Sequence, residues 1–171
     1  FIIFKPHDDF SYYHFPYTYY LTQSEIAFGI GNFNHGFRTP SSIFYLNSLF
    51  YLPIIKYNFF QIGAILIMGF SSYQFFYLVK EKLKQKKYDK FFFLSLFFFM
   101  FTVIFFYRIA EHGTDRSAQI LIFLLIIELL IIINFDKGIK ERIIKISIIL
   151  GLVISLKSFY VLYLAFSFPV F

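Results

Sequence analysis

The chain predicts an all-α fold: a polytopic membrane helix bundle with, on one face, a polar loop that carries short interfacial helices. Three observations predict it. Hydrophobic residues make up 58% of the 171, and the mean hydropathy is +0.66. Phe (29) and Tyr (14) far exceed soluble usage, while charged residues are only 15%. After residue 56, apolar runs of about twenty residues alternate with short polar turns, more apolar surface than a soluble domain this size can hide. Cys is absent, which excludes disulfide and thiolate chemistry. The net charge of +6 does not point to nucleic acid, because the basic residues concentrate in two short loops between apolar runs.

Residues 1–56 form the outer-face loop. Phe1 to Phe4 read as the last turn of a helix that begins earlier, and the chain as a piece of a larger protein. Residues 41–56, SSIFYLNSLFYLPIIK, are apolar but short and interrupted by Pro53, so they suit an interfacial or re-entrant helix. Ser41 is its expected cap, since Pro40 disfavours helix immediately before.

Four spans follow at about 57–79, 91–107, 117–135 and 143–166. Gly63 and Gly69 in the first allow close helix contacts. The segments Lys80–Lys90 and Asp136–Lys145 hold ten of the sixteen Lys and Arg residues, so both are expected on the cytoplasmic side. The Arg108–Arg116 turn and the N-terminal loop then face the periplasm or exterior. The expected location is the cell membrane, in a multi-pass arrangement.

Two polar groups thus fall on one side. The first holds His7, Asp8, Asp9, His14, His35 and Arg38; the second holds Arg108, Glu111, His112, Asp115 and Arg116. The turn is denser in ionisable groups than a connection requires. Asp8 and Asp9 are neighbours and point in different directions on any regular element, so one at most faces a substrate. A partly buried carboxylate there suits a general base, or a ligand to a divalent metal ion; capping and hydration is the plain alternative. No HExxH or tight ligand spacing marks structural zinc. Arg38 and Arg116 suit a phosphate, or simple anchoring at the interface. The aromatic run SYYHFPYTYYL fits an interfacial belt, or the lining of a lipid or sugar groove. Gly29-Ile30-Gly31-Asn32 lacks the lysine of a nucleotide loop and marks a turn. Glu128 and Lys157, within the third and fourth spans, are expected to pair with each other, snorkel or line a polar pocket.

The run from His7 to Pro53, HDDFSYYHFPYTYYLTQSEIAFGIGNFNHGFRTPSSIFYLNSLFYLP, resembles the first large outer loop of an uncharacterised family of bacterial multi-spanning membrane proteins. That family is similar to membrane glycosyltransferases of the GT-C superfamily. The resemblance implies sugar transfer from a polyprenyl-phosphate donor on the outer face. It places Asp8 and Asp9 where such enzymes carry an acidic residue after the first helix, and Glu111 to Asp115 at a second acidic motif. His7, His14, His35, Arg38, His112 and Arg116 then bind substrate. The implied partners are membrane lipid and the polyprenyl-linked sugar. The rival classes are a transporter or flippase of a polar lipid, which needs ionisable groups along a midplane path, and a non-catalytic membrane protein.

Overall fold

The computed structural model describes residues 8–25, 28–106, 114–134 and 138–167, and these are all-helical apart from turns. They form a small head, residues 8–61, on one end of a bundle of four longer helices.

The head begins with a π-turn, Phe10–His14, that runs straight into helix α1, Phe15–Gln23. Pro16 accounts for the wide turn. A proline ring presses on the carbonyl four residues back and offers that carbonyl no N–H. The Phe15 N–H reaches back five residues to the Phe10 carbonyl. The Tyr12 carbonyl receives Asn34 Nδ2 at 3.1 Å. Helix α2, Ser42–Ser48, starts where Ser41 Oγ accepts the Ile43 N–H at 3.4 Å, and it ends well before Pro53.

Aromatic packing holds the head together. Tyr17 is buried between Phe37 and Phe44, with ring centroids at 5.2 and 5.4 Å, and its hydroxyl meets that of Tyr45 at 3.2 Å. The opposite side of α1 presents Phe15 and Tyr19 to Tyr57, Phe60 and Tyr51. One side of the run SYYHFPYTYYL, led by Tyr17, thus packs into the head's aromatic cluster. Only Tyr12 and Tyr19 among its tyrosines are well exposed.

Helix α3, Ile62–Lys84, leaves the head, and α4, Lys90–Phe105, returns. Helix α5, Thr114–Asn134, leaves again, and α6, Ile139–Leu156, comes back. Helix α5 is the hub, packed by α3, α4 and α6 and apolar on nearly all sides. Phe123 of α5 stacks on Phe98 of α4 at 4.4 Å, and Phe98 meets Phe75 of α3 at 5.9 Å. Leu66, Phe70, Tyr73, Phe76 and Tyr77 of α3 are each about half exposed.

Two stretches, Tyr57–Lys84 and Thr114–Asn134, are long and apolar enough to cross a membrane. Helix α4 has 16 residues, a length of about 24 Å. The expected span at 143–166 is not one helix: α6 stops at Leu156, Lys157 is extended, and a 3₁₀ segment, Ser158–Ser167, follows. The first helix in turn runs past 79, so Lys80, Lys82 and Lys84 are helical.

Polar contacts join head and bundle. Asn47 Oδ1 of α2 accepts the Gly63 N–H of α3 at 2.9 Å, and the Ser42 and Ser155 hydroxyls meet at 3.0 Å. At the far end Asp89 caps α4 by accepting the Phe91 and Phe92 N–H groups and pairs with Lys82. Lys90 Nζ donates to Asn134 Oδ1 at 2.5 Å, tying α4 to α5.

Candidate functional site

The polar groups meet where the head rests on the bundle. Asp115 lies in the first turn of α5, and Lys157 follows the last turn of α6. The two helices are antiparallel, so the positive end of one dipole lies beside the negative end of the other. Each charge sits at the terminus that favours it, and the two form an ion pair. Tyr160 and Gln119 hydrogen-bond beside this pair, with Tyr160 within electrostatic reach of both Asp115 and Lys157.

The head supplies the other half. Asp9 precedes the π-turn and is partly buried; Tyr13, in that turn, lies within reach of both Asp9 and Asp115. Burial, then the charges of Asp9 and Asp115, push the Tyr13 phenol above its ordinary value. Tyr13 is held by Gly36, where an added Cβ would lie 2.3 Å from the ring. Burial, then the shared bond with Tyr45, raises the Tyr17 phenol further, in keeping with a structural role.

The sequence candidates separate. Asp8 is exposed, and its carbonyl accepts Ser11 Oγ at 3.1 Å; Asp9 turns inward. Asp115 belongs to the junction, with Arg116 half-buried next to it. His14 packs at 4.3 Å on Tyr13 and 5.2 Å on Phe44, inside the head's aromatic cluster. His35 is exposed on a 3₁₀ turn, His35–Arg38. Arg38 is exposed too, and its Nε donates to the Gly31 carbonyl at 2.9 Å. His7, Glu111 and His112 lie outside the described residues. Among the described residues no three His, Asp or Glu side chains converge as a metal site.

Sequence reading missed Lys157, Tyr13, Tyr160 and Gln119 as members of this site. It also offered a Glu128–Lys157 pair, beside snorkelling or a polar pocket. Instead Glu128, buried in α5, takes Arg142 Nη1 at 2.7 Å and also pairs with Lys145, both on α6. The spacing from Asp115 to Glu128 nearly equals that from Lys145 to Lys157. An antiparallel hairpin therefore pairs the two acids with cations at opposite ends, a signal that was available in the residue numbers.

Between α3, α5 and α6 runs an apolar crevice of about 350 Å³, lined by Leu66, Phe70, Leu121, Ile148 and Leu152, with Lys145 on its wall. Comparisons with protein-family models, curated proteins and solved structures give no match.

Proposed function

We propose that the chain is a multi-pass membrane protein that transfers a sugar from a polyprenyl-phosphate donor, with the head–bundle junction as its site on the outer face. The observation that carries this reading is the meeting of Asp9, Tyr13, Asp115 and Lys157 at one end of an otherwise apolar bundle. The basic far end then lies in the cytoplasm by the charge bias of the loops. The half-exposed apolar flank of α3 suits lipid, and the crevice suits an isoprenoid tail.

In this mechanism the acceptor hydroxyl oxygen attacks the anomeric carbon and its proton passes to Asp9. The bond from that carbon to the phosphate oxygen breaks, and the electron pair departs with polyprenyl phosphate. Lys157, oriented by Asp115, and Arg116 meet the charge that grows on the leaving group. Tyr13 donates a hydrogen bond to the sugar or phosphate. The ion positions favour this reading over a transport path: among the described residues Glu128 and Lys157 are each paired toward a bundle end rather than strung along its middle.

The test is a lipid-linked sugar transfer assay on the full chain in membranes. Asp9→Asn should lower the rate by about 10²–10⁴-fold and Asp8→Asn by little. Lys157→Met should lower it by about 10²-fold. Full activity in Asp9→Asn rejects the base assignment. No transfer from folded protein across a broad donor panel rejects the transferase reading.

A further inference from the structure

Two turns of the head end in apolar side chains that no described residue covers. The first is closed by the Asn32 N–H on the Gly29 carbonyl (2.9 Å) and the Phe33 N–H on the Ile30 carbonyl (3.0 Å). It presents Phe28 and Phe33 at 104% and 93% exposure. The second is closed by the Lys56 N–H on the Leu52 carbonyl (2.6 Å) and Asn58 Nδ2 on the Ile55 carbonyl (2.8 Å). Its tip is Ile54, 94% exposed, with Leu49 and Leu52 beside it.

Each turn carries one cation at its base. Arg38 is fastened to the first by its bond to Gly31, which occupies one of five guanidinium N–H donors and leaves others to face outward. Lys56 closes the second. The segments flanking the turns lie on opposite sides of α1: Gly36 and Phe37 pack on Tyr13 and Tyr17, and Tyr51 and Phe60 pack on Tyr19 and Phe15, nearly half a helical turn round. The second turn continues directly into α3, the first long apolar helix.

We propose that these two turns are wedges that enter the outer leaflet of an anionic bilayer, with Arg38 and Lys56 on lipid phosphates. This rests on the membrane reading above. An apolar tip with a cation behind it matches the order of acyl region and phosphate layer met from within the leaflet. Internal hydrogen bonds lower the cost of taking the turn backbones out of water. The wedges fix the head's height and tilt, and with them the depth at which the junction of Asp9 and Asp115 meets the lipid surface.

The chain has no Trp, so Phe28→Trp, Ile54→Trp and Phe93→Trp each carry a single emitter. Phe93 is on the exposed flank of α4 and reports burial of the bundle in lipid independently of the head. Each variant of the full chain is placed in phosphatidylcholine–phosphatidylglycerol vesicles with or without bromines high on the acyl chains. The expected result is blue-shifted emission and bromine quenching at positions 28, 54 and 93. Adding Arg38→Gln with Lys56→Gln, or omitting phosphatidylglycerol, should reduce quenching at 28 and 54 by about two-fold and leave 93 unchanged. Quenching at 93 with water-like emission at 28 and 54 overturns the wedges and leaves the membrane reading standing. Blue-shifted but unquenched emission at 28 and 54 also overturns them, since a protein surface then covers the tips. No quenching at any position overturns both.

Discussion

The Glu128 cluster makes an asymmetric prediction about stability. The Glu128 side chain is 7% exposed, whereas Arg142 and Lys145 are 34% and 43% exposed. The carboxylate cannot hydrate in place; the cations can. Replacing Arg142 and Lys145 together by Met keeps their aliphatic stems and strands the carboxylate, a change that costs about 3–5 kcal/mol. Glu128→Gln keeps the shape and removes the buried charge, leaving two partly hydrated cations, at about 1 kcal/mol or less. With a Tm shift of about 2–4 °C per kcal/mol at this chain length, the double Met variant should melt on the order of 10 °C lower and Glu128→Gln only a few degrees lower. The triple variant should recover most of the loss, because the group that needed a partner is gone. Thermal unfolding of the full chain in detergent micelles, followed by circular dichroism near neutral pH, reads all three. If Glu128→Gln costs as much as the double Met change, or the triple variant recovers nothing, the buried carboxylate is not what the clasp protects.

Three further outcomes follow from contacts elsewhere. Gly63→Ala would put a Cβ 2.5 Å from Asn47 Oδ1, which already holds the Gly63 N–H, so it should loosen the head at a cost of about 1–3 kcal/mol; Gly69→Ala, with open space, should be neutral or stabilising by about 0.5–1 kcal/mol in the same melts. Gly36→Ala drives a Cβ into the Tyr13 ring and should cut the sugar transfer proposed above while the bundle's melting temperature holds, since the displaced ring belongs to the junction. The Asp89 carboxyl is held below its ordinary value, chiefly by its bond to Lys82 and further by the Phe91 and Phe92 N–H groups. A lowered carboxylate stabilises the fold above its unfolded pKa of about 4 and loses that contribution as pH falls through the lower folded value. The wild-type Tm should therefore drop in that acid range, and Asp89→Ala should flatten the drop while costing about 1 kcal/mol of cap at neutral pH.

Much of the helical frame was legible because length and hydropathy act locally. The apolar parts of Tyr57–Lys84 and Thr114–Asn134 are visible from composition alone, and so is the Ser41 start of α2, since a cap needs one residue of the right kind after a proline. The fourth span misled for the opposite reason. Its residues are apolar throughout Ile143–Phe166 except for charged and small polar ones, and hydropathy gives no sign that the helix stops at Lys157. The break belongs to tertiary structure: Lys157 meets Asp115 across the hairpin. In the tyrosine-rich run, too, composition does not say which ring is buried. Tyr is equally at home at a membrane interface and in an aromatic core, and only the close approach of Phe37 and Phe44 decides for Tyr17.

The arrangement of charge ties these cases together. Once α5 and α6 are taken as an antiparallel pair, the level of each ionisable side chain follows from its number, and Glu128 can reach only the start of α6 while Asp115 can reach only its end. The two acids of α5 then have different physics. Glu128 is enclosed and shared by two cations, so its charge is spent on holding the hairpin. Asp115 pairs with Lys157 at a half-open junction, where in the proposed mechanism it orients that cation. Exchanging the sign at the junction, Asp115→Lys with Lys157→Asp, keeps a pair but sets each charge against its helix dipole. The fold should survive with the loss of about 1–2 kcal/mol, and a junction that relies on a cation at the end of α6 should stop working; an exchanged pair that retains full transfer would show that only the pairing matters there.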